Sequence, residues 1–342
     1  MNIIIPHSLR QFTLHTLRAM APGRSPLQVA VCQAPLLRRL EIRGSLPPKF
    51  VAYLAQFDRL TTLDLIHCRI NADSATVRRV YRDMIRDLSS KKIVTLELPE
   101  DLTQDYIPDC VVGFSHLVTL RTMNTPSTIR AFLDILSPGH LSRLAVESYE
   151  LRYPQNEWRM CFDAVRRCCG TSLHGLILRG NDGVPPTMQT IEPLLEIRSL
   201  GGVLLFGTLS SEEVQAIALA WPCLISFTLI HHSPSPHLLV HLAQFCSRLV
   251  HIVLEGVREL PDLENIPTLS HGLQTLTLEV PSDTNHVFLA RLLDRLFPVL
   301  QTLSVNPRSH INGEETSPWE DVNQMLRAFQ GIREECKSGV MR

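Results

Sequence analysis

The chain has 342 residues, 44% of them hydrophobic, and 33 Lys and Arg stand against 34 Asp and Glu. That is enough apolar mass for one large core or two ordinary ones. The near-neutral balance excludes the basic field that draws a protein onto nucleic acid or acidic membranes, so neither is an expected partner. Nine cysteines without CxxC spacing, and no Asn-x-Ser/Thr acceptor, fit free thiols in a reducing compartment. The start MNIIIPHSLRQF lacks a signal-peptide leader and no stretch approaches the length of a membrane span. A cytoplasmic or nuclear location is expected.

In chain order the dominant signal is a repeat of apolar residues at positions one, four and six. It begins weakly as LRQFTL from Leu9, is interrupted by the linker-like Ala21 to Pro26, and resumes as LRRLEI from Leu37. LTTLDL from Leu60, IVTLEL from Ile93, LVTLRT from Leu117, LSRLAV from Leu141 and LHGLIL from Leu173 follow. The series ends with LGGVLL from Leu200, LISFTL from Leu224, LVHIVL from Leu249, LQTLTL from Leu273 and LQTLSV from Leu300. The mean period is about 26 residues, within the leucine-rich range.

Between these copies the spacing becomes helical, as in NEWRMCFDAVRRCC (156 to 169), SSEEVQAIALAW (210 to 221), HLLVHLAQFC (237 to 246) and TNHVFLARLLDRLF (284 to 297). Ser210 followed by Glu213 has capping-box spacing, and Pro126 with Ser127 opens another helix. Each unit therefore reads as strand, turn, helix. One unit cannot bury both its strand leucines and its helix face, so neighbours must stack. The expected fold is an α/β leucine-rich-repeat solenoid, a ribonuclease-inhibitor-like horseshoe with a parallel concave sheet and convex helices. Residues 1–36 form an irregular first repeat, 37–306 the array, and 307–342 a capping helix and tail, in which Trp319, Val322, Met325, Leu326 and Phe329 recur at helical spacing.

The segments ALAWPCL, HLAQFCSRL, GLQTLTL, LFPVLQTLSV and WEDVNQMLRAF, over 210–336, carry a resemblance. The chain resembles the leucine-rich region of F-box-like proteins of mushroom-forming fungi. That resemblance implies substrate recognition for a ubiquitin ligase, with a Skp-type linker docked by an F-box ahead of the repeats. No F-box is read in this sequence, so a Skp-type linker is an expected partner only if one lies upstream. The alternative is a free-standing repeat scaffold or inhibitor.

In such strands the third, fifth and seventh residues project onto the concave face. Toward the N-terminus these are Arg39, Glu41 and Arg43, then Thr62, Asp64 and Ile66, then Thr95 and Glu97, Thr119 and Arg121, and Arg143 and Glu147, a mixed-charge surface. Farther along, Ile177, Leu204, Phe206, Ile230 and Val253 form a candidate apolar patch for a protein partner. A one-residue slip in LGGVLLF would turn Leu204 and Phe206 inward instead.

His231, His232, His237 and His241 are the densest His cluster, but no intervening Glu or third ligand makes a metal motif. Cys168 and Cys169 read as packing residues, with a reactive thiol beside Arg166 and Arg167 as the alternative. GxSxG, phosphate-loop and GxGxxG patterns are absent, so neither catalysis nor a cofactor is expected.

Overall fold

The computed structural model describes residues 8–16, 32–109, 112–149, 153–180, 187–206, 209–230, 237–255, 260–261, 263, 266–279, 284–305 and 318–338. The chain divides into two units, Met1–Asn181 with Gln189–Leu194, and Asp182–Met188 with Leu195–Arg342.

In the first unit, β1 (Gln11–Thr16), β2 (Arg39–Leu46), β3 (Thr62–Asp64), β5 (Thr95–Glu97), β6 (Thr119–Thr122), β7 (Arg143–Tyr149) and β8 (Gly175–Gly180) pair in that order, all parallel. A short β4 (Cys68–Ile70) pairs with the far half of β2. The helices are α1 (Pro48–Val51), α2 (Ser74–Ser89), α3 (Pro126–Asp134), α4 (Gln155–Cys169) and, through its residues Gln189–Leu194, α5 (Met188–Leu195). In the second unit, β9 (Gly202–Phe206), β10 (Ser226–Ile230), β11 (His251–Leu254), β12 (Thr275–Leu278) and β13 (Thr302–Val305) form an all-parallel series. Its helices are α6 (Ser211–Ala220), α7 (Leu238–Phe245), α8 (His286–Leu296) and α9 (Pro318–Ser338).

Each of the twelve repeat copies becomes a strand, and each strand opens at the copy's third or a neighbouring residue. The fold is a leucine-rich-repeat solenoid. The cause is visible in the alternation: Leu40, Leu63, Leu96, Leu120, Leu144 and Leu176 align in register and are 0–2% exposed. Phe227, Ile252 and Leu276 do the same in the second unit, each at 0%. Burying each such side chain contributes about 1.5–3 kcal/mol. Parallel strands adjacent in sequence require crossovers of one hand, which puts the helices on one face of the sheet and leaves the other open.

Helix starts follow local chemistry. Ser210 and Glu213 form the expected capping box, each side chain accepting from the other's backbone N–H. Thr125 caps α3 with Pro126 in the first turn, and Asp73 and Asn285 cap α2 and α8. The two longest intervals, after Leu60 and after Leu141, hold the 16-residue α2 with β4 and the 15-residue α4. Return segments lengthen on the helical side without disturbing the strand ladder.

The last strand has an edge, and α9 covers it with polar side chains. Asn323 donates to the Leu303 carbonyl at 3.3 Å and Gln330 to that of Leu300 at 2.9 Å, while Val322 and Leu326 are buried. An exposed row of strand carbonyls invites pairing with another chain, and these amides occupy it. The side chain of Trp319 lies outside the described residues, as does the Ala21 to Pro26 linker.

Candidate protein-binding faces

Backbone register fixes which side chains line the open side of each sheet. In the second unit one row is Leu204, Thr228, Val253, Thr277 and Ser304, and Phe206 pairs with Ile230 in the next row. Leu204, Phe206, Ile230 and Val253 are half-buried, whereas Val203, Leu205, Leu229 and Leu254 between them are buried. LGGVLLF therefore does not slip: Leu204 and Phe206 face the open side. Thr228 sits between Leu204 and Val253, so the apolar group is a corner with a hydroxyl in it. Beyond Val253 the row turns polar, with the hydroxyls of Thr277 and Ser304 2.9 Å apart. Ile177 lies in the first unit, on β8, aligned with Ala145 of β7.

The first unit's open side is ionic, and its organisation is legible only in the structure. One row runs Thr13, Glu41, Asp64, Glu97, Arg121, Ala145, Ile177. Arg121 donates to Glu97 at 2.9 Å and to Glu147 at 3.1 Å, and Glu147 also accepts from Arg179 at 3.0 Å. Glu, Arg, Glu and Arg thus alternate across four successive strands, β5 to β8. The carboxylates lie low, with side chains 12% exposed at Glu97 and 11% at Glu147, against 39% at Arg121 and 46% at Arg179. Glu41 repeats the pattern at 16% beneath Arg43 at 51%.

Burial, and then Asp64 on the neighbouring strand, pushes the Glu97 carboxyl above its ordinary value despite Arg121. Folded Glu97 therefore keeps its proton to higher pH than the unfolded chain does. The associated stability is fully present below the ordinary carboxylate value and is lost as pH rises through the folded one. Glu97→Gln should consequently melt at or above the parent temperature at pH 7, and the two curves should converge near pH 4, as checked by thermal unfolding across pH.

Ile66, expected on this face, is 2% exposed. The strand stops at Asp64, whose carboxylate accepts the Ile66 N–H at 3.1 Å and turns the chain, so strand alternation no longer applies. Asn124 carries a role that apolar spacing does not report. It is 2% exposed, and its amide donates to the carbonyls of Pro99, Glu100 and Leu102 at 2.8, 3.1 and 3.0 Å.

Of the His cluster, His231 and His232 lie outside the described residues. His241 hydrogen-bonds Ser211 at 3.2 Å and stacks on Phe245, and burial with His237 alongside lowers its pKa. No group of three or more His, Cys, Asp or Glu among the described residues is placed to hold a metal ion. The Cys169 thiol is buried and donates to the Val165 carbonyl at 3.0 Å, a packing role. No helix among the described residues is long and apolar enough to cross a membrane.

No protein-family model matches this chain, and no curated protein matches it. Among solved structures it is similar to a chain of the yeast Rad7 and Elc1 complex, at 14% identity over 76% of this chain and 74% of that one, with a TM-score of 0.46. It is also similar to an internalin, InlF, of Listeria monocytogenes, at 12% identity over 93% and 86% of the two chains, with a TM-score of 0.44. At these identities neither likeness bears on what the chain binds.

Proposed function

We propose that the chain is a non-catalytic protein-binding module that holds a partner on the open faces of its sheets. The observation that carries this reading is the corner of Leu204, Phe206, Ile230 and Val253, apolar yet half-exposed on the side of the second unit's sheet away from its core. Side chains of this type on an open face cost solvation unless a partner covers them, and such anchors carry most of the energy of an interface. Ile177 extends the same reading to the first unit. A parallel sheet offers a broad row of side chains rather than an enclosed water-free site, which favours holding over chemistry.

Within this reading the chain serves as the substrate-recognition part of an F-box-like ubiquitin-ligase adaptor in the cytoplasm or nucleus, a role supported by the sequence resemblance over 210–336. Affinity capture with mass spectrometry tests both levels. Phe206→Asp combined with Ile230→Asp should reduce recovery of the principal partner at least tenfold with the fold intact. Recovery of a Skp-type linker with the full-length protein supports the adaptor role, and partner capture without one favours a free-standing scaffold or inhibitor. Undiminished capture by the double variant would refute the apolar corner as the site.

A further inference from the structure

The first unit's open face holds a second feature, independent of the apolar corner. Next to the ionic row runs a row without any carboxylate: Arg39 on β2, Thr62 on β3, Thr95 on β5, Thr119 on β6 and Arg143 on β7. Both arginines are exposed and the three threonines are half-buried. Among the described residues none of the three hydroxyls makes a hydrogen bond, and the Arg143 guanidinium has neither hydrogen bond nor ion pair, only the backbone N–H of that residue donating, to the Val118 carbonyl. The Arg39 guanidinium feels Glu97 electrostatically but donates to no side chain or carbonyl among the described residues. Arg143 has room to lie along the sheet because its neighbour on β8 is Gly175, where a Cβ would come within 3.3 Å of the Arg143 Cγ.

We propose that this strip takes an extended acidic segment of a partner protein, running across the strands with one carboxylate on Arg39 and another on Arg143. The inference rests on the open faces being protein-binding surfaces and names the chemistry of one partner segment. Four strand-to-strand steps separate the two arginines, about 19 Å at roughly 4.8 Å per step. An extended peptide covers that distance in about six residues. Its two acidic side chains would therefore stand five or six positions apart, with backbone groups between them over the threonine hydroxyls.

Charge complementarity selects this occupant. The carboxylates of the neighbouring row are the less accessible groups and are already engaged: Glu41 with Arg43 and Thr13, Asp64 with the Ile66 N–H, Glu97 with Arg121. An approaching segment meets guanidinium groups first. A nucleic-acid strand fits less well, because its closely spaced phosphates would face those same carboxylates between the two arginines.

The test uses the full chain and fluorescein-labelled peptides of Gly and Ser bearing two Glu residues separated by two to eight positions, read by anisotropy at low salt. Binding should be tightest at a separation of five or six and weaken severalfold between about 50 and 300 mM salt. It should fall at least tenfold in Arg39→Ala combined with Arg143→Ala, and severalfold when Thr62, Thr95 and Thr119 are changed to Val. Both sets concern open-face side chains, and unchanged melting curves establish that the fold persists. No binding, binding indifferent to the Glu separation or to the arginine changes, equal binding of a Lys–Lys peptide, or tighter binding of a six-nucleotide single strand would each overturn the proposal. Because the readout uses the first unit's strip alone, its failure leaves partner capture through Phe206 and Ile230 standing, and the converse also holds.

Discussion

Leu205→Asp should unfold the second unit under conditions where Leu204→Asp leaves it folded, although the two residues are adjacent in one strand. Leu205 is 2% exposed among the leucines of the sheet's covered side, while Leu204 faces the open side beside Thr228. An unpaired carboxylate in the core costs about 3–5 kcal/mol, to which the lost leucine burial adds. That is a large share of the 5–15 kcal/mol by which ordinary domains are stable. On the open side the substitution costs about 1 kcal/mol or less, mostly through the poor strand preference of Asp. Urea denaturation followed by tryptophan fluorescence resolves the difference, because the fully buried Trp221 reports on the second unit and the buried Trp158 on the first. Equal destabilisation by the two changes would mean that the strand has no open side.

Asn124→Leu should cost about 3 kcal/mol with the transition remaining cooperative. The segment from Pro99 to Ile107 returns from β5 to β6 with a single short 3-10 turn and no α-helix, so little of its backbone is satisfied by regular structure. Asn124 supplies the missing donors to three of its carbonyls and holds its own orientation through Thr122, whose hydroxyl donates to Oδ1 at 2.6 Å. Two amide hydrogens serve three acceptors, so one of them is shared. Leucine fills a similar volume but leaves buried carbonyls unpaired, each costing about 1–3 kcal/mol. Chemical denaturation gives the total, and hydrogen exchange should show the 99–107 segment opening first.

The contrast between these two residues shows what a single sequence conveys about this fold. The strand that holds Leu205 was legible because leucine spacing repeats every 23 to 33 residues in this chain, while its inward side, open in LGGVLLF to a one-residue slip, is settled by the burial of Val203 and Leu205. Asn124 was not legible, since a hydrogen bond spanning 22 to 25 residues leaves no periodic trace. Alternation within a strand follows the spacing, as in Leu204 and Phe206 against the buried Val203 and Leu205. Ile66 departs from it because it lies past the end of β3, where Asp64 turns the chain. The alternating Glu97, Arg121, Glu147, Arg179 chain and the carboxylate-free row beside it follow from inter-strand register, which aligns residues from different repeats. Composition along one strand shows only mixed charge. Likewise β4, three residues paired to the tail of β2, is too short to carry a pattern of its own.

The central claim, that the open faces of the sheets hold a partner, is tested most directly by site-specific photocrosslinking. A benzophenone amino acid is placed at Thr228 or Thr119 on the open faces, and at Met160 or Leu219, which are 50% and 55% exposed on helices. The chain is then irradiated in extract from its native cells, and adducts are identified by mass spectrometry. The account predicts one recurrent adduct from Thr228, lost when Phe206→Asp and Ile230→Asp are present, and none of the same protein from Met160 or Leu219. Recurrent adducts from the helix positions alone would contradict it.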